Sequence, residues 1–511
     1  MRLRIFIIFT LVSFLFVPTA TSASNPKIGK KCPALGFEQE WKGTTYICVK
    51  QKKKLIWKIS AGRNENTVAE DINRVYSTDD GYEHKFVSPG DVDPNIPAEW
   101  IEFNSGYRGQ KLAYRLKKYQ LGNLVPKSVE SSANDLLSVQ ACKIKDNSND
   151  HFLRAFPAPG TSEYYNLNNG AYPKPNTIIQ VIPIFAPDTA TPTKTPKQDY
   201  AKYFEYVKNF IEYTADVPTN VVIRYPENYI SFSKPLKPYQ ISHKMPSPHP
   251  TLANEIVAEV DTQIDFSGAT MVVVVVPSKT PLDVIQQGPL GSMRTSEGII
   301  HGTSSVYPDT YESKTYLTYQ GLAHPYWWIH EFFHLGIPLD DHYGDQKNDL
   351  NSEYGLGWWS LMTPGGGDLL TWEKWLLGYI NDSQIRCVSK DKTTLNWIVP
   401  TSVKANKSKL VVIPISSTKV IAMESIRAAG LYFKHPKNTW GVLTYVVDVT
   451  QEVHGLGMKL ILPTNRNPAQ GPFLLAEAPL RNGESVIYEG VKITIVESGN
   501  FGDVVKVEKV S

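Results

Sequence analysis

Residues 325–336 run Pro-Tyr-Trp-Trp-Ile-His-Glu-Phe-Phe-His-Leu-Gly, a bulky apolar stretch broken by three ionisable side chains, His330, Glu331 and His334. A helix this apolar has to be buried, and an unpartnered ionisable group in such surroundings is costly. The two histidines stand one turn apart on the same face, so both imidazoles can reach one metal ion, which removes that cost. Glu331 sits beside them and off the shared face, where a carboxylate can take a proton from metal-activated water instead of binding the ion. Gly336, with Pro338 two residues later, ends the helix and turns the chain back. Asp340, ten residues after His330, is the expected third ligand, which leaves a fourth position for water as in catalytic zinc sites. Asp341 and His342 are its rivals.

The N-terminus opens with Arg2 and Arg4, continues with an apolar run at 5–17, and closes on the small residues of 18–23. That is the pattern of a secretory signal peptide, with cleavage expected after Ala23. The apolar run is about 13 residues, short of the roughly 20 that cross a bilayer, so the expectation is a secreted, extracellular protein with no transmembrane segment in its mature form. An uncleaved N-terminal anchor is the alternative. The 53 Lys and Arg against 50 Asp and Glu leave a net charge of +3, so no global field argues for nucleic acid as a partner. Four cysteines suit an exported chain that does not depend on disulfides for its core. Cys32 and Cys48 lie in one small segment and are expected to pair, leaving Cys142 and Cys387 to bridge distant parts or to stay free; the other connectivities remain open.

About 490 residues after the signal are more than one core usually serves, so two or three domains are expected. Residues 24–60 read as a small cysteine-containing β module with strand signals at Tyr46-Ile47-Cys48-Val49 and Leu55-Ile56-Trp57. Its cluster of Lys50, Lys52, Lys53 and Lys54 reads as a solvated hairpin tip, weak contact with an anionic cell surface being the alternative. Residues 61–175 form an N-terminal region with a role as a propeptide left open, and 60–97, polar and without sustained periodicity, read as a linker. From 176 the signals alternate: strand at 177–184, amphipathic helix at 199–213, strand at 221–223, helix at 252–264 and an apolar strand at 271–276. That order implies an α/β sheet covered by helices, assigned to 176–386. Residues 387–511 carry strand signals at 409–415, 419–423, 441–447, 486–488, 491–496 and 504–507, the pattern of a C-terminal β-sandwich.

The segment from His330 to Asp340, with Trp358-Trp359-Ser360-Leu361-Met362 and the run Leu369-Leu370-Thr371-Trp372-Glu373-Lys374-Trp375-Leu376-Leu377-Gly378-Tyr379, resembles the immune-inhibitor-A-type metalloproteases. The resemblance implies an α/β (α+β) zincin-like catalytic domain between the small N-terminal disulfide module and the C-terminal β-sandwich, with Zn2+ as cofactor and Met362 in the methionine turn beneath it. One departure is that only Leu335 separates His334 from Gly336, where family members usually have two residues, so the turn toward the third ligand is built differently. The implied activity is that of a secreted zinc-dependent endopeptidase acting on proteins or peptides, with Glu331 as general base. A catalytically weak or inactive peptidase-fold protein that binds cell surfaces is the alternative from another class. His342 and Tyr343 are near enough to serve as a second electrophile. The aromatics Tyr326, Trp327, Trp328, Tyr343, Tyr354, Trp358 and Trp359 read as core, with an apolar substrate subsite as the alternative. Asp345, Asp349 and Glu353 lack the regular spacing of a calcium loop and read as solvated surface, Ca2+ being the alternative.

Overall fold

The computed structural model describes residues 27, 29–31, 38–41, 44–51, 54–59, 75–77, 83–87, 100–103, 112–117, 125–146, 154–157, 175–242, 249–306, 326–335, 339–344, 353–363, 367–427, 432, 435, 437–451, 455–469 and 473–510. The signal-peptide pattern, Cys32, Lys52 and Lys53 lie outside them. No helix among the described residues is long and apolar enough to cross a membrane. The chain divides into two compact units, residues 1–73 and 74–511.

In the first unit, β1 (Glu38–Trp41), β2 (Thr44–Gln51) and β3 (Lys54–Ile59) form an antiparallel meander. Trp57 is its buried centre, with Tyr46 and Leu55 packed against it. The stretch before Cys32 is tied to the third strand, Gly29 N donating to Trp57 O at 2.8 Å and Trp57 N to Lys30 O at 2.9 Å. Gly29 holds a positive φ of 77° there, which glycine adopts without steric cost.

The second unit begins with β4 (Val75–Ser77), β5 (Glu83–Val87), β6 (Trp100–Phe103) and β7 (Leu112–Lys117), an antiparallel sheet in the order β4-β5-β7-β6. The expected linker at 60–97 therefore contains strands. These strands are too short to show a period of their own, and β5 finds its partner in β7, beyond the stretch that was read as a linker. After two short paired strands, β8 (Lys145–Asp146) and β9 (Phe156–Pro157), comes the α/β layer.

That layer comprises β10 (Asn176–Phe185), α1 (Pro196–Thr214), β11 (Asn220–Arg224), β12 (Ile230–Ser231), α2 (Pro250–Val260), β13 (Met271–Val275), β14 (Gly288–Pro289), the hairpin β15 (Met293–Thr295) and β16 (Gly298–Ile300), and β17 (Gly302–Val306). The sheet runs β11-β10-β13-β17-β14, parallel except for the antiparallel edge strand β14, with β12 paired to the far end of β10. All five residues of β13 are buried, as expected of a parallel strand covered on both faces. A capping box starts α1: Thr195 Oγ1 accepts from Gln198 N at 3.2 Å, and Gln198 Oε1 accepts from Thr195 N at 2.9 Å. Phe204 and Phe210 of α1 meet Phe332 and Phe333 of α3 (Tyr326–Leu335) edge to face, with centroids 6.4 and 6.2 Å apart. The helix that carries the histidines is thus fixed to the layer by its apolar side.

Beyond α4 (Thr371–Leu376) the chain becomes strands: β18 (Ile385–Cys387), β19 (Thr394–Ile398), β20 (Leu410–Pro414), β21 (Lys419–Ile426), β22 (Gly441–Asp448), β23 (Met458–Leu460), β24 (Ser485–Tyr488), β25 (Val491–Gly499) and β26 (Gly502–Lys509). They make two sheets, β18-β20-β21-β22-β23 and β19-β26-β25-β24. Val411, Ile413, Ile421 and Met423 from one share a core with Ile398, Ile493, Ile495, Val505 and Val507 from the other. Cys142 and Cys387 form a disulfide across 245 positions, tying the segment ahead of the α/β layer to the first strand after it.

Buried charge joins the α/β layer to these sheets. Lys409 Nζ donates to Asp216 Oδ1 at 2.8 Å and to Thr401 O at 3.0 Å, and Gln384 Nε2 reaches Asp216 Oδ2 at 2.7 Å. Burial outweighs the Asp216 carboxylate and pushes the Lys409 amine down to about 8. The unfolded chain keeps this proton to about 10.5, so between pH 8 and 10.5 the unfolded state binds more protons and this group makes the fold more stable as pH rises. The stability difference between the native protein and Lys409→Met is accordingly expected to shift in favour of the native protein by on the order of 2 kcal/mol from pH 7.5 to 10, measured by urea denaturation.

Candidate metal centre

The geometry starts from α3. Ile329, Phe332 and Phe333 are each 1% exposed and face the core, while His330, also buried, and the partly buried His334 share another face one turn apart. His330 Nδ1 lies 2.9 Å from Leu361 O, and His334 Nδ1 lies 2.6 Å from Leu339 O. A carbonyl only accepts, so each Nδ1 carries the hydrogen, which leaves Nε2 as the nitrogen of each ring that can offer a lone pair to a metal. Those two Nε2 atoms are 3.0 Å apart, and Asp341 Oδ1 is 3.2 Å from both. Four ligands about zinc at 2.0–2.1 Å stand about 3.3 Å from one another, so the triangle has the size of one face of such a tetrahedron. Three electron-pair donors gathered this closely fit a shared cation. Tyr343 donates its hydroxyl to Asp341 Oδ2 at 2.8 Å, which occupies one carboxylate oxygen and leaves the other facing the imidazoles. His330, His334 and Asp341 are the one group of three or more such side chains among the described residues that can hold a metal ion.

The expected ligand Asp340 is placed elsewhere. It is fully buried, and its Oδ2 accepts from Arg154 Nε at 3.0 Å. The rival His342 is also turned away from the histidine pair: its Nε2 lies 3.2 Å from Glu373 Oε1, and its main-chain N donates to Met362 O at 3.0 Å. Successive side chains of residues 340–343 turn to alternate sides. Asp340 and His342 take the inner side, and Asp341 and Tyr343 take the side of the histidines. Spacing from His330 could not register this parity. The segment is held by close backbone approaches: Leu356 N donates to His342 O at 2.6 Å, and a Cβ on Gly355, whose φ is +51°, would stand 2.2 Å from the same carbonyl.

Met362, fully buried, directly follows Leu361, whose main-chain O meets His330. The turn there is built by Ser360, whose φ of 95° is uncommon for a residue with a side chain. Its hydroxyl donates to Glu373 Oε2 at 2.8 Å and accepts from Met362 N at 3.0 Å. Those bonds hold the turn that presents Leu361 O to His330. Ser360, Glu373, Leu339 and Leu361 all fall inside the family-like segments, yet the sequence does not single them out, and the two leucines act only through main-chain oxygens, which side-chain identity does not reveal.

Glu331 belongs to α3 by its backbone, and its side chain lies outside the described residues, as do those of Tyr326, Trp327 and Trp328. Trp359 is fully buried against Tyr432 and Phe473, a core position, and Trp358 and Tyr354 are partly buried. Of the acidic loop, Asp345 and Asp349 lie outside the described residues and Glu353 is exposed. His342 is 1% exposed, and Tyr343 is spent on Asp341.

No protein-family model, curated protein or solved structure matches this chain.

Proposed function

We propose that the chain is a secreted zinc-dependent endopeptidase of the immune-inhibitor-A type, with a zincin-like catalytic layer whose metal ligands are His330, His334 and Asp341. The observation that carries this reading is the convergence of two Nε2 atoms and one carboxylate oxygen within 3.0–3.2 Å, each ring fixed by a main-chain carbonyl. When bound, zinc supplies a Lewis acid that brings water toward ionisation near pH 7 and polarises a carbonyl. The chain's own part is to hold the ligands in one tautomer, to shield them within an apolar layer, and to offer Glu331 beside His330 as the group that accepts a proton and returns it to the leaving amine. Asp341 completes a three-ligand set, which leaves a coordination position for water or substrate as hydrolytic zinc sites require. The segment around Trp358–Met362 supports the family reading, since its Leu361 O accepts from His330 Nδ1.

Elemental analysis of the purified protein, paired with gelatin or casein cleavage before and after a chelator, tests the reading. One zinc per chain and cleavage that stops with the chelator and returns on adding zinc are expected. A protein that holds no stoichiometric metal and cuts no polypeptide would instead be a peptidase-fold binding protein.

A further inference from the structure

We infer that Arg154 is a positioning residue for the metal centre: by holding Asp340 on the inner side of the 339–344 segment, it keeps Asp341 aimed at the two histidines. The inference rests on the zinc reading above and adds to it a requirement from a distant part of the chain, 186 positions from Asp340.

The ion pair is fully enclosed, with side-chain exposures of 1% for Arg154 and 0% for Asp340. A carboxylate so buried needs a matched cation, and losing one partner of such a pair is far costlier than losing a surface one. The guanidinium is held from several directions. Its Nε meets Asp340 at 3.0 Å and its Nη1 donates to Gln451 O, while the main-chain N of Arg154 donates to Asp146 Oδ2 at 3.1 Å and its carbonyl accepts from Trp372 Nε1 at 2.9 Å. The slot for this side chain requires glycine at 457, since a Cβ there would stand 2.2 Å from Arg154 Cδ and 2.6 Å from its Nε. Asp340 and Asp341 are adjacent in the chain and turn their carboxylates to opposite partners, Arg154 and the histidine pair, so pinning Asp340 inward fixes the outward aim of Asp341.

The segment that delivers Arg154 is itself anchored. Ser131 N donates to Leu395 O at 2.9 Å, Leu137 N donates to Cys387 O at 2.8 Å, Glu130 meets Arg386 at 3.1 Å, and Cys142 is joined covalently to Cys387. Residues 61–175 cannot then be discarded whole as a propeptide without taking Arg154 away from the centre. A maturation cut compatible with an intact site either falls ahead of this anchored segment or leaves it joined to the rest of the chain through the Cys142–Cys387 disulfide.

The test compares zinc affinity of the native protein, Arg154→Met and Gly457→Ala, each stripped of metal and titrated with zinc against a chromophoric chelator well below the melting temperature. Gly457→Ala keeps every charge and crowds the Arg154 side chain at Cγ, Cδ and Nε. Both variants are expected to bind zinc about 10–100-fold more weakly, the range seen when a group that orients a metal ligand is lost. The double variant is expected to be no weaker than Arg154→Met, because both changes break the same contact. Native-like zinc affinity in a folded variant, even with a lowered melting temperature, would make Arg154 a merely structural residue and overturn the inference. If Arg154→Met does not fold, Gly457→Ala decides by the same criterion. A native protein that binds no zinc defeats the metal reading itself, a result separate from either variant's behaviour.

Discussion

Glu331→Gln is expected to keep its zinc and cleave about 10²–10⁴-fold more slowly, whereas His334→Ala is expected to lose both metal and cleavage. Glutamine matches glutamate in size and cannot accept a proton, so only the acid–base contribution is removed. The ligand set does not include position 331, and metal content should stay at one per chain. His334 supplies one corner of a triangle whose sides are 3.0 and 3.2 Å, and alanine leaves His330 and Asp341 as the remaining protein ligands. The affinity loss should exceed the 10–100-fold typical of outer contacts, so the metal should wash out on desalting. Elemental analysis and peptide cleavage on the same preparations separate the two variants. Native-rate cleavage by Glu331→Gln would remove it as the base, and stoichiometric zinc in His334→Ala would place the metal somewhere else.

Arg427→Met is expected to cost about 3–5 kcal/mol of stability while leaving zinc content unchanged. Arg427 follows β21 and reaches across to β26, where its Nη1 and Nη2 meet the two oxygens of Asp503 at 2.9 and 2.8 Å. Nη1 also donates to Ile426 O at 2.7 Å and Nη2 to Gly502 O at 2.9 Å. Asp503, fully buried, accepts further bonds from Ser425 Oγ at 2.6 Å and Ser498 Oγ at 2.5 Å. Methionine fills much of the volume yet leaves that carboxylate without its cation between two sheets, and hydroxyl donors alone do not balance a buried charge. Urea unfolding followed by tryptophan fluorescence measures the loss. A change below about 1 kcal/mol, the size of an exposed pair, would show that the network adjusts without the arginine.

The sequence makes some of this architecture legible and leaves other parts closed. β10 and β13 are readable because a parallel strand covered on both faces must be apolar throughout, so composition over a few residues suffices. The α3 helix is readable because two histidines at one-turn spacing in an apolar run need a helix to make chemical sense. The aim of 340–342 is not readable in this way. Which of three consecutive polar residues faces the histidines depends on a cation contributed by Arg154, in a stretch with no periodicity or motif of its own. The same limit hides β4 to β7, whose short strands acquire meaning only through partners further along. Motifs that contain their own chemistry can be read locally; a side-chain direction chosen by a remote ion pair cannot.

The oxygens that orient His330 and His334 belong to the peptide groups of Leu361 and Leu339. Evolution can therefore exchange those leucines for other aliphatic residues without disturbing either imidazole, because the backbone persists through every substitution. Distant descendants of such a centre would share its ligands and the path of the chain, while the positions that orient the rings drift beyond recognition.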